Sequence, residues 1–166
     1  MFKKILTVVA VALALPVIAA AQKFGTVDVN AIFTAMPETT AAQTQLQEAN
    51  KKYEDEFKKL QEEVDKKYQE FQALPEGTPE SIKERRMQEI QELAQKIDTF
   101  RNTASQDLQR QQEQLMAPIQ QKIVEAIKTV GQEGNYTFIL ENGVPAYSGT
   151  DVTDVTAAVK AKLGIK

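Results

Sequence analysis

The chain has 166 residues, of which 20 are Lys or Arg and 23 are Asp or Glu, and it contains no His, Cys or Trp. Without His and Cys there is no zinc site built on either residue, no Ser-His-Asp triad and no cysteine nucleophile. The formal net charge of −3 argues against nucleic acid as a partner.

The first element is a leader. Lys3 and Lys4 provide a basic start, Ile5 to Ile18 an apolar run broken by Pro16, and Ala19-Ala20-Ala21 the small residues of a signal-peptidase site before Gln22. Residues 1–21 therefore read as a cleaved secretory signal peptide, too short and wrongly flanked for a stable membrane span. Cleavage would take two lysines with it and leave 145 residues with 18 basic and 23 acidic side chains, a net charge of −5.

Phe24 to Asn30 alternates Val27 and Val29 with Thr26 and Asp28, which predicts a short strand. Glu38 to Gly131 is rich in Gln, Glu and Lys and has a single glycine, Gly77, before its last position. This is solvated, helix-forming sequence. It is interrupted at Leu74-Pro75-Glu76-Gly77-Thr78-Pro79, where a helix cannot continue and the chain must turn. Thr78 before Pro79, or Ser81 with Glu84 three residues on, is expected to cap the second helix.

The apolar residues on the two sides of the turn fall on helical stripes. Leu46, Tyr53, Phe57, Leu60, Val64, Tyr68, Phe71 and Leu74 recur mostly at steps of three and four, and so do Ile90, Leu93, Ile97, Phe100, Ala104 and Leu108. Further along, Leu108, Ile119 and Val130 are 11 apart, so the heptad pattern relaxes towards a nearly straight pair. At about 1.5 Å per residue the helices should be roughly 50 Å and roughly 75–80 Å long. Stripes this narrow cannot form the interior of a globule, and the antiparallel pair should protrude. Ala117-Pro118 falls inside the second helix, where a bend is expected as the arm enters its base, with a hinge at Pro118 as the functional alternative.

Tyr136 to Glu141 reads as a strand, Asn142-Gly143 as a two-residue hairpin turn, and Val144 to Ser148 as the returning strand, which tolerates Pro145 only near an edge. Asp151 should cap a last helix, with Asp154 at its third position, Val152, Val155, Val159 and Leu163 on one face, and Gly164 at its end.

Little in this pattern carries chemistry. Glu54-Asp55-Glu56 and Glu62-Glu63-Asp65 occupy solvated helix positions with no pocket to separate their pKa values, so no catalytic residue, metal ligand or cofactor is expected. The pairs Lys51-Lys52, Lys58-Lys59 and Lys66-Lys67 line one side of the first helix, within reach of Asp55, Glu62 and Glu63 at helical spacing. They read as a salt-laced surface, with anionic ligands as the alternative. Tyr53, Phe57, Tyr68, Phe71 and Phe100 should hold the helices together. Near the turn, Leu74, Ile82 and Met87 have little fold to hide in and make an adaptable apolar surface.

KFGTVDVNAIF, the Gln/Lys/Glu hairpin, APIQQKIVEAIKTVGQEGNYTFIL and VPAYSGTDVTDVTAAVKAKL together resemble the Skp/OmpH family of exported chaperones over residues 23–163, most specifically at Tyr136 to Leu163. The resemblance implies an α+β fold in which a long antiparallel helical hairpin, a coiled-coil arm, projects from a small β-rich trimerisation body, so that three chains look like a jellyfish. It places the arm at 38–131 with its turn at 74–79, and the body at 22–37 and 132–166 with the helix base at about 119–131. The interface of the implied homotrimer would bury Val27, Val29, Ile32, Phe138 and Leu140. A three-stranded patch of this size needs such support.

The implied function is an ATP-independent holdase of the periplasm that binds and cages unfolded outer-membrane β-barrel proteins. Tyr68, Phe71, Leu74, Ile82 and Met87 would be its client contacts. The rival class is a coiled-coil tether of the envelope without chaperone activity. One departure is plain. The family's best-known members are strongly basic, whereas residues 38–131 carry 14 basic and 18 acidic groups, which argues against long-range attraction to membranes or lipopolysaccharide.

Overall fold

The computed structural model describes residues 22–165, so the expected leader at 1–21 lies outside the described residues. In chain order the elements are β1 (Lys23–Val27), α1 (Val29–Ala35), α2 (Pro37–Gln72), α3 (Glu80–Glu133), β2 (Tyr136–Glu141), β3 (Thr153–Asp154) and α4 (Thr156–Lys162). The long helices α2 and α3 form an antiparallel hairpin of about 54 Å and about 81 Å at 1.5 Å per residue. The hairpin projects from a small sheet and two short helices, an α+β arrangement.

β1 is shorter than its alternating pattern predicts. Asp28 leaves the strand because its Oδ1 accepts a hydrogen bond from the Ala31 N–H at 2.7 Å, which caps α1 and makes Val29 and Ile32 helical. Met36 then adopts an extended conformation, and Pro37 starts α2 at a position where its missing N–H costs nothing.

The hairpin turn spans Ala73 to Pro79. Gly77 supplies a φ of +105°, which side-chain-bearing residues rarely adopt. Thr78 does not cap the second helix. Its hydroxyl donates to the Pro75 carbonyl at 2.7 Å and closes the turn, and Pro79 occupies the cap position with no side-chain bond. Beyond it α3 runs unbroken through Pro118. The ion pairs on α2 also differ from expectation. Lys59 pairs with Glu56 and Lys67 with Glu70, at i,i+3 spacing within one side of the helix.

The sheet is parallel, in the order β2-β1-β3. Phe24 pairs with Phe138, Gly25 with Ile139 and Thr26 with Leu140, while Gly25 and Thr26 also meet Thr153 and Asp154. The expected Asn-Gly hairpin is not formed. That turn needs positive φ at both central residues, but only Gly143 has it, at +90°. The Asn142 N–H instead donates to the Val27 carbonyl at 2.9 Å, extending the pairing with β1. Residues 144–148 join no ladder, and the chain crosses to the far side of β1 to form β3. Nor does Asp151 cap the last helix. α4 begins at Thr156, whose N–H donates to Asp154 Oδ1 at 2.8 Å, because Val155 first gives its N–H to the Thr26 carbonyl.

One face of this sheet meets the core. Val27, Ile32 and Met36 pack with Ile119, Ile123, Ala126 and Val130 of the α3 base and with Val155 and Val159. Val27 and Ile32 are therefore buried within the protomer, Ile32 completely, and are already covered without a second chain. Val29 packs half-buried at the edge of the same cluster. All three residues thus pack within the protomer, because α1 folds back onto the α3 base.

Candidate functional site

The arm is held by a mixed seam. Leu60 and Ala104 are its buried aliphatic contacts, and Tyr53 packs on Phe100 with ring centroids 5.9 Å apart. The Tyr53 hydroxyl donates across the hairpin to Asp107 at 2.5 Å, and Arg110 and Gln111 donate to the same carboxylate. Arg101 lies over the Phe57 ring, 5.2 Å from its centroid. Tyr53, Phe57 and Phe100 were legible as seam residues, whereas Asp107 and Arg101 were not. The available signal for Asp107 was its position seven residues after Phe100, on the same helical face.

Toward the turn the packing loosens. Tyr68 is 48% exposed and Ile82 38% exposed, while Phe71, Leu74 and Met87 are half-buried. Phe71 of α2 and Met87 of α3 line one open groove of about 690 Å³, with Glu80, Lys83, Glu84 and Glu92 also in its wall. Two of the five expected contact residues thus share a groove, and Tyr68, Leu74 and Ile82 lie outside it. Nearby, a hydrogen bond from Arg86 at 2.9 Å holds the Glu89 carboxyl below its ordinary pKa.

A second apolar surface lies at the other end of the molecule. Pairing of Phe24 with Phe138 and of Thr26 with Leu140 puts these side chains on the sheet face that α1 and α3 do not cover. Phe24 and Phe138 stack with centroids 6.3 Å apart, and Phe138 is 61% and Leu140 42% exposed. Val144 and Tyr147 add further exposed apolar groups on the connection to β3. Pro118 is exposed on α3 directly before buried Ile119, where the arm enters the core. There the Glu38 carboxyl, held below its usual pKa by a backbone N–H and then by Lys122, joins α2 to α3 through a 3.0 Å bond.

Among the described residues no group of acidic side chains is arranged to hold a metal, and no helix is long and apolar enough to cross a membrane. What the arrangement offers is exposed apolar surface in two places: scattered side chains on a charged arm, and a bare sheet face at its base.

Two comparisons bear on this arrangement. The pattern of the family described as outer membrane protein (OmpH-like) matches residues 23–163. Among curated proteins, the chaperone protein Skp of Salmonella typhimurium (strain LT2) is 26% identical over 141 residues, which cover 84% of this chain and 85% of the relative. The chaperone protein Skp of Escherichia coli (strain K12) and that of Shigella flexneri show the same identity and coverage.

Proposed function

Because the chain belongs to the OmpH-like family, we propose that it is a periplasmic chaperone, an ATP-independent holdase that binds unfolded outer-membrane β-barrel proteins and prevents their aggregation. The observation that carries this reading is the loosely packed end of the arm. Tyr68 and Ile82 are exposed and Phe71, Leu74 and Met87 only partly covered, toward the end of a hairpin that reaches about 50 Å from the core. Exported barrel precursors present alternating apolar strands that aggregate with one another. Weak contact at many such points retains a precursor yet lets it leave without a nucleotide cycle.

The cage would come from self-association. Parallel sheets are ordinarily covered on both faces, and here Phe24, Phe138 and Leu140 leave one face bare. A homotrimer joined through this face would set three arms around a shared cavity, with Phe138 and Leu140 at its centre.

Replacing Leu74, Ile82 and Met87 together by Ser tests the client contacts. Burial of each large apolar side chain contributes roughly 1.5–3 kcal/mol, whereas an exposed ion pair contributes about 0–1 kcal/mol and is screened by salt. The triple variant should lose suppression of barrel aggregation severalfold with its helicity unchanged, and raising salt to about 0.5 M should weaken the unaltered protein far less. Full activity in the triple variant, with capture abolished by salt, would refute apolar contact as the basis of holding.

A further inference from the structure

The groove at the arm's end carries more than apolar surface. Its floor has Phe71 and Met87, and three of the four charged groups in its wall are carboxylates. Lys83 is held by Glu80 at 3.5 Å. Glu84 and Glu92 make no ion pair among the described residues, Glu92 accepting only the Gln88 side-chain amide at 3.0 Å. Both are exposed, eight residues apart on α3, with Met87 between them. Eight residues of helix span about 12 Å along the axis.

An extended chain rises about 3.3 Å per residue and returns to the same face every second residue. Residues i, i+2 and i+4 of such a segment therefore share a face, with its ends about 13 Å apart. That matches the axial separation of Glu84 and Glu92, neither of which is ion-paired among the described residues, and sets the central residue over the Phe71–Met87 floor. We propose that this groove selects extended client segments in which an apolar residue is flanked, two positions away on each side, by Lys or Arg. The inference rests on the holdase reading and specifies which segments the arm prefers. Apolar burial would supply most of the affinity and the carboxylates the choice between segments.

The test uses protein spanning Gln22–Lys166 and three blocked peptides that differ only at the flanking positions, with cores Lys-Thr-Phe-Thr-Lys, Ser-Thr-Phe-Thr-Ser and Glu-Thr-Phe-Thr-Glu. Fluorescence anisotropy at low salt should rank them in that order, the first binding about fivefold tighter than the last. The ranking should collapse in the Glu84→Gln/Glu92→Gln variant and in about 0.5 M salt. Phe71→Ser should weaken all three alike. Far-UV circular dichroism checks that each variant keeps its helices. Equal binding of the three peptides, no binding of any, or a preference that survives Glu84→Gln/Glu92→Gln would overturn the assignment. Aggregation of an unfolded barrel, followed with the same protein, separates the two claims. Suppression without peptide preference removes this inference alone, while no suppression removes the holdase reading.

Discussion

Thr156 shows how one side chain ties two elements. Its hydroxyl accepts the Asp28 N–H at 2.9 Å, its own N–H donates to Asp154, and Asp28 in turn caps α1. Thr156→Val keeps the shape but leaves the part-buried Asp28 N–H without a partner, which should cost about 1–2 kcal/mol in urea unfolding. Thr156, through its hydroxyl first and its N–H second, also lowers the Asp154 pKa from the ordinary 3.8. A carboxyl whose folded pKa is lowered stabilises the fold fully above the unfolded value and loses that contribution as pH falls through the folded value. Stability should therefore decline in acid below about pH 4, and Asp154→Asn should flatten this part of the decline. Thr39 presents the opposite case. Its hydroxyl is buried with no partner among the described residues, so Thr39→Val should raise stability by about 1 kcal/mol in the same assay.

At the scale of elements, the long helices carry little core and depend on a few seam contacts. Tyr53 joins them twice, by packing on Phe100 and by its bond to Asp107. Tyr53→Phe keeps the packing and removes the bond, and because Arg110 and Gln111 still serve Asp107 the loss should be about 0.5–1.5 kcal/mol. Pro118 lies where α3 passes from arm to core, and a proline inside a helix costs on the order of 3 kcal/mol relative to Ala. Pro118→Ala should accordingly stabilise α3. If Pro118 is a hinge, spin labels placed beside Leu74 on neighbouring arms should report narrower distance distributions in the variant. Unchanged distributions would leave only a bend at the base.

In the whole molecule, the buried core and the bare sheet face have different consequences. Ile32 is fully buried in the protomer, so Ile32→Asp should unfold it by placing an unpaired charge in the core. Phe138 is mostly exposed, so Phe138→Asp should leave the protomer folded and abolish the proposed trimer. Light scattering should give roughly threefold the protomer mass for the unaltered protein and the protomer mass for Phe138→Asp. A monomeric, cooperatively unfolding natural chain would remove the trimer from the account.

The arm was legible in the residues alone because a helix is specified locally. Three- and four-residue apolar steps choose its face, and Pro75, Gly77 and Pro79 stop it wherever the rest of the chain lies. Of the contact residues read there, Phe71 and Met87 come together in one groove, but its carboxylate wall emerged only when α2 and α3 were set side by side. The sheet was not legible in the same way. Its strands were found at Phe24 and Tyr136, yet their pairing joins positions more than 100 residues apart, and no local pattern names a strand's partner. Asn142-Gly143 signalled a hairpin through local turn chemistry, and the backbone bond from Asn142 to Val27 overrode it. Val29 read as a strand residue, but Asp28 caps a helix that starts there and sets Val29 and Ile32 against the α3 base. Local periodicity and turn residues determined the arm, while only long-range backbone pairing could decide the sheet and which of its apolar residues remain uncovered.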